Sequence, residues 1–178
     1  DIVAPNDSTF AAIYLHMADD HLADVSISDN QIYDAFNTGI VGSGIRVAID
    51  GAGSKYLDHL LIANNTIRSQ KSCLSIESTG EVTNLSISDN IFEAGTAGTI
   101  LDPARPVFVQ AATNGSASAN NHDIVVTGNA FHHGDGCRFE SLSEIPFENV
   151  TITGNVFDIT DQTANPVLSG KPVGFFAG

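Results

Sequence analysis

One pattern recurs five times in this chain and constrains its fold more than any other feature: apolar, polar, apolar, polar, small or acidic, Asn, any residue, apolar. The copies are Val25–Ile32, Leu60–Ile67, Leu85–Phe92, Ile124–Phe131 and Val150–Phe157. Their asparagines, Asn30, Asn65, Asn90, Asn129 and Asn155, are separated by 35, 25, 39 and 26 residues. Self-similarity at such a period marks a solenoid, in which each unit packs only on its neighbours. Alternation at period two means strands, built here from Val, Ile, Thr and Ser. No helical stripe of adequate length appears, so the chain reads as all-β.

Further short apolar strands lie between the copies: Ile45–Ile49, Cys73–Ile76, Pro106–Val109 and Gly136–Phe139, with Ala12–Leu15 before the first copy and Pro172–Phe176 after the last. Each coil then carries at least two strands and two bends, and like strands of successive coils stack in parallel about 4.8 Å apart. The apolar columns led by Val25, Ile27 and Ile32 should point inward. The asparagines end their strands, where an inward amide can bond the bending backbone and its neighbours in adjacent coils. Asn also tolerates the left-handed conformation that bends require. The residue before each copy, namely Asp24, His59, Asn84, Asp123 and Asn149, is a turn residue, His59 included.

These apolar-x-apolar-x-x-Asn-x-apolar repeats span nearly the whole chain and resemble those of the right-handed parallel β-helix, the pectate-lyase-like superfold. The resemblance implies one solenoid domain over residues 1–178, a right-handed parallel β-helix of about five to six coils. Members of the superfold include pectate lyases, polygalacturonases, chondroitinase-B-like alginate lyases, mannuronan epimerases and phage tailspikes. The implied function is therefore polysaccharide recognition, with or without cleavage, and the implied location is extracellular or on a virion surface. Asn65-Thr66-Ile67 followed by Leu74-Ser75-Ile76 is similar to a chondroitinase-B-like segment, but Glu77-Ser78-Thr79 stands where that segment continues into Arg-His-Gly. The Arg essential to that chemistry is absent. No capping helix is visible, and the chain stops on the apolar Val173–Phe176. An uncapped C-terminal end of this kind is expected to be covered by a continuation of the β-helix or by a homo-oligomer, and the chain reads as a fragment of a longer one.

Composition narrows the partners. The chain of 178 residues carries 7 Lys+Arg against 21 Asp+Glu, a formal net charge of -14. That balance excludes nucleic acid and an anionic membrane surface as natural partners, since both are held by Lys and Arg. No apolar run reaches the length of a membrane span. Cys73 and Cys137 fall on strands two coils apart, roughly 9–10 Å, whereas a disulfide needs Cα atoms within about 7 Å. Two free, buried thiols are expected.

Candidate chemistry emerges when the intervening strands are aligned on their apolar pairs, Ile13/Leu15, Val47/Ile49, Leu74/Ile76, Val107/Val109 and Cys137/Phe139. The next residue outward is then His16, Asp50, Glu77, Gln110 and Glu140. The outward residue within each pair is Tyr14, Ala48, Ser75, Phe108 and Arg138. In this alignment Asp50 and Glu77 sit on adjacent rungs about 5 Å apart, the separation of acid and nucleophile in retaining glycosidases. Crowded like charges raise one pKa and supply a proton donor. Asp50 and Glu77 are the catalytic candidates, and Tyr14, His16, Phe108, Gln110, Arg138 and Glu140 the substrate-binding ones, the aromatic rings offering an apolar face for sugars. Resemblance to calcium-dependent pectate lyases implies Ca²⁺ as the one candidate cofactor, on Asp50 and Glu77, with Arg46 or Arg138 as base. Composition and spacing define no metal site of their own.

Other stretches offer less defined chemistry than this face. His132-His133-Gly134-Asp135-Gly136 holds two His and an Asp, yet adjacent side chains on an extended chain diverge, and the segment reads as a bend. The insertions Glu93–Pro103 and Ala112–Asn121 are long enough to carry function or to be inert. Ser26-x-Ser28, Ser86-x-Ser88 and Thr151-x-Thr153 resemble the hydroxyl arrays of ice-binding β-solenoids, but Leu61, Ala63 and Val125 interrupt the array. The apolar Leu61 and Val125 suggest a face covered by a loop or another subunit. The alternative to glycan recognition is a purely structural or adhesive β-helix segment with no catalytic site.

Overall fold

The computed structural model describes residues 2–3, 11–18, 21–33, 43–50, 55–69, 72–94, 105–111, 121–132, 136–141, 146–158 and 173–177, with backbone only for Ile2, Val3, Ala18, Asp50, Gly174, Phe176 and Ala177. Every described element is a strand. After β1 (Ile2–Val3) the strands recur in threes, which we call rungs: β2 (Ala11–Ala18), β3 (Leu22–Ser28) and β4 (Gln31–Tyr33), then β5 (Ser43–Asp50), β6 (Tyr56–Ala63) and β7 (Thr66–Ser69). The third rung is β8 (Ser72–Ser78), β9 (Glu81–Ser88) and β10 (Ile91–Ala94), and the fourth β11 (Val107–Ala111), β12 (Asn121–Thr127) and β13 (Ala130–His132). β14 (Cys137–Ser141), β15 (Phe147–Thr153) and β16 (Val156–Asp158) form the fifth, followed by β17 (Val173–Ala177).

Three parallel sheets result. The first has the order β2-β5-β8-β11-β14-β17, the second β3-β6-β9-β12-β15 and the third β1-β4-β7-β10-β13-β16. Strands adjacent in a sheet are a full rung apart in the chain, as a parallel solenoid of the expected kind requires. Each rung has three strands because the recurring pattern itself bends: its first half belongs to the second sheet and its last residues to the third. The bend lies at the residue before each Asn, where Asp29, Asn64, Asp89, Gly128 and Gly154 have φ of 55–68°. The expectation that the ladder Asn itself takes the left-handed conformation is thus corrected by one position. A second left-handed column runs through Asp24, His59, Asn84, Asp123 and Asn149, φ 51–59°, the turn residues expected, and kinks every strand of the second sheet.

The asparagines form a ladder. The backbone N–H of Asn30, Asn65, Asn90 and Asn129 each donates to Oδ1 of the next Asn along the stack, at 2.9–3.0 Å. Their Nδ2 groups donate to the same oxygens at 2.9–3.0 Å. A further Nδ2 bond returns to the preceding strand, for example from Asn90 to the Ile62 carbonyl at 2.9 Å. A buried amide is tolerable only when so satisfied. Beside the ladder, Phe131 stacks between Phe92 at 5.3 Å and Phe157 at 4.8 Å, and Ile62, Ile67, Leu85 and Ile87 are fully buried around it.

Cys73 and Cys137 are buried thiols outside any disulfide, and burial pushes the Cys137 thiol far above its usual range. Glu93, Ala94 and Asn121, expected in insertions, belong to strands. Asn121 takes the inward column of Leu57, Val82 and Phe147. Its Oδ1 accepts from Val82 N–H at 3.0 Å, as in the ladder, but its Nδ2 has no partner among the described residues.

Candidate functional site

The outer face of the first sheet is built by alternation. Ile45, Leu74, Val107 and Cys137 share one inward column with Ile13, and Val47, Ile76, Val109 and Phe139 another with Leu15. The outward residues between them are Tyr14, Arg46, Ser75, Phe108 and Arg138. One step further along stand His16, Ala48, Glu77, Gln110 and Glu140. The expected face therefore exists, with one correction. β5 is shifted by two residues from the alignment read in the sequence, so Arg46 and Ala48 occupy the places expected for Ala48 and Asp50. Asp50 instead pairs with Ala18; it stands two residues beyond the row, about 8 Å from Glu77 between Cα positions, and its side chain lies outside the described residues. The close Asp50–Glu77 pair of carboxylates is not formed by this register.

Arg46 replaces it. Its Nη2 donates to Glu77 Oε2 at 2.9 Å, while Ser75 Oγ donates to Glu77 Oε1 at 2.8 Å. The Arg46 guanidinium lies 5.6 Å from the centre of the Tyr14 ring, and the His16 ring is stacked with Tyr14 at 5.6 Å. Further along, Arg138 holds Glu140 through Nη2 at 2.9 Å and Nε at 3.2 Å, and Arg105 lies 5.0 Å over Phe108. Tyr14 is 42% exposed, while the outward Ala48 and Ser75 are almost fully buried. Three of the chain's four arginines thus gather on this one face. Sequence reasoning placed Arg46 only near the site; the signal available was that a two-residue shift sets an arginine opposite Ser75 and Glu77 without turning any apolar residue outward.

A second polar cluster went unread. On the kinked edge of the second sheet, Asp58 Oδ2 pairs with His59 Nδ1 at 2.7 Å, and its Oδ1 accepts from Thr83 Oγ1 at 2.7 Å and Asn84 Nδ2 at 2.8 Å. Partial burial pushes the Asp58 carboxyl up, but the bonds from Asn84, Thr83 and His59, with the His59 charge, together hold it below the usual range. Two rungs on, His122 Nδ1 meets Asp123 Oδ2 at 2.7 Å. The His122 bond, with one from Asn149, lowers the Asp123 carboxyl in the same direction. Among the described residues no three His, Cys, Asp or Glu side chains converge as a cation site.

Of the remaining stretches, His133, Gly134 and Asp135 lie outside the described residues, as do most of both insertions. Leu61 and Val125 are 38% and 37% exposed on the outer face of the second sheet. Comparison with known proteins adds no relative: no protein family, no curated protein and no solved structure matches the chain.

Proposed function

We propose that this protein is a polysaccharide-recognising β-helix whose glycan lies on the outer face of the first sheet, touching Tyr14, His16, Phe108, Gln110, Arg138 and Glu140. The observation that carries the reading is the composition of that face: two aromatic rings and three of four arginines on one side of a chain with net charge -14. Rings offer stacking surface for sugars, and arginine–carboxylate pairs offer fixed donors and acceptors for hydroxyl groups. Five complete rungs with a strand before and after them support five to six coils, and parallel crossovers in one sheet favour the right-handed wind. An extracellular or virion-surface location belongs to the same reading.

Recognition is favoured over cleavage. Asp50 stands outside the row, and both oxygens of Glu77 are engaged, by Arg46 and by Ser75. On this reading Glu77 is held by Arg46 and Ser75 and serves no Ca²⁺. Chelation with EDTA should leave glycan binding unchanged. Tyr14→Ala should weaken binding about tenfold, the effect of losing an exposed aromatic anchor, with an unaltered thermal midpoint. Retention of no glycan by the wild-type chain, on an array spanning neutral and acidic polymers, would return the protein to the purely structural or adhesive role.

A further inference from the structure

Resting on that reading, we infer that the glycan held by the first sheet is uncharged and runs along the stacking axis, across the strands, from Tyr14 to Phe108. Tyr14 and Phe108 occupy the same outward column, on β2 and β11, with β5 and β8 between them. Three strand spacings separate them, about 14 Å. An extended sugar chain laid along this column meets one rung after another, with an aromatic residue at each end, the exposed Tyr14 and the half-buried Phe108 beside Arg105, and the Arg46–Glu77 pair beneath its middle.

The charge of the glycan follows from how the arginines are occupied. Arg46 is committed to Glu77 and Arg138 to Glu140, at 2.9 Å in both cases. A glycan carboxylate or sulfate accepting from the remaining guanidinium N–H groups would bring a second negative charge to an arginine whose own charge Glu77 or Glu140 already balances. A hydroxyl group disturbs nothing, because it donates to the glutamate oxygens and accepts from guanidinium N–H groups within the pairs as they stand. At longer range the net charge of -14 repels an approaching polyanion. Both effects act against acidic polymers, and so against the elimination chemistry that needs a uronic acid carboxyl group beside the proton removed.

The test is a length series of uncharged hexose oligosaccharides and of oligogalacturonate, titrated calorimetrically into the intact chain at low and moderate NaCl. Uncharged oligomers should bind, with affinity rising with length until the ligand spans Tyr14 to Phe108 and then levelling off. Either Tyr14→Ala or Phe108→Ala should move that plateau to shorter oligomers and lower its affinity about tenfold. Oligogalacturonate should bind at least about tenfold more weakly at low salt and gain as salt screens the repulsion. Preference for oligogalacturonate, or an affinity for uncharged oligomers that does not grow with length, overturns the inference while leaving glycan recognition standing. Binding of neither series overturns both.

Discussion

At the scale of single residues, the ladder asparagines hold the stack in register. Asn90 sits at the middle of the ladder: it accepts from Asn65 N–H and Nδ2 and donates through Nδ2 to Ile62 O and Asn129 Oδ1. Replacing it by Leu strands the Asn65 backbone N–H and the Ile62 carbonyl, while Asn129 Oδ1 keeps only the bond from the backbone N–H at position 90. Such stranded groups cost about 1–3 kcal/mol each, so Asn90→Leu should destabilise by about 3–5 kcal/mol in urea unfolding. Asn30, half-buried in the first complete rung, donates to Asn65 but receives no ladder bond from any described residue; Asn30→Leu should cost about 1 kcal/mol. Equal losses at the two positions would mean that the amides act singly rather than as a ladder. The asparagines were legible because their offset from the apolar positions never varies. The one-residue error in the left-handed position was avoidable, since Asp, Asn, Asp, Gly and Gly at the preceding position are the types that tolerate positive φ.

At the scale of elements, the contrast between sheets explains what the sequence conceals. Strands of the second and third sheets carry the Asn, which numbers them absolutely. Those of the first sheet carry only alternation, and β5 has inward candidates at Ile45, Val47 and Ile49. A shift by two keeps every side chain on its face, so period-two patterning cannot detect it. What fixes β5 is local fit: a Cβ at Gly44 would lie 2.3 Å from Ile67 Cγ2 and 2.9 Å from the Cys73 carbonyl oxygen. The kink of the second sheet has its own signature. Because Asp58 has a lowered folded pKa, its contribution to stability is present above the unfolded value, about 3.9, and is lost as pH falls through the folded value. Thermal midpoints should therefore drop more steeply below about pH 4 in the wild type than in Asp58→Asn. Parallel curves would show that the Thr83 and Asn84 bonds do not discriminate between the charged and neutral carboxyl.

For the whole molecule, charge and topology matter more than any single contact. With 21 acidic against 7 basic residues, self-repulsion opposes the compact state. Raising NaCl from about 0.01 M to about 0.15 M shortens the Debye length from about 30 Å to about 8 Å, and the thermal midpoint should rise. A falling midpoint would mean that attractive pairs such as Arg46–Glu77 and Arg68–Glu93, 2.9 and 3.0 Å apart, outweigh the excess of like charge. Fold class was legible from the repeat alone, because a solenoid writes its architecture into the sequence once per rung. Function was not, because the glycan face depends on which side chains meet across rungs joined by connections of unequal length.

The ladder has a direction as well as a register. Every bond between its asparagines runs from one residue to the Oδ1 of the following neighbour, so the side-chain carbonyl dipoles add instead of cancelling, and each bond polarises the next. The row of turns therefore carries a permanent electrical polarity parallel to the stacking axis, of the sort a helix has along its own, in a chain whose described residues include no helix at all.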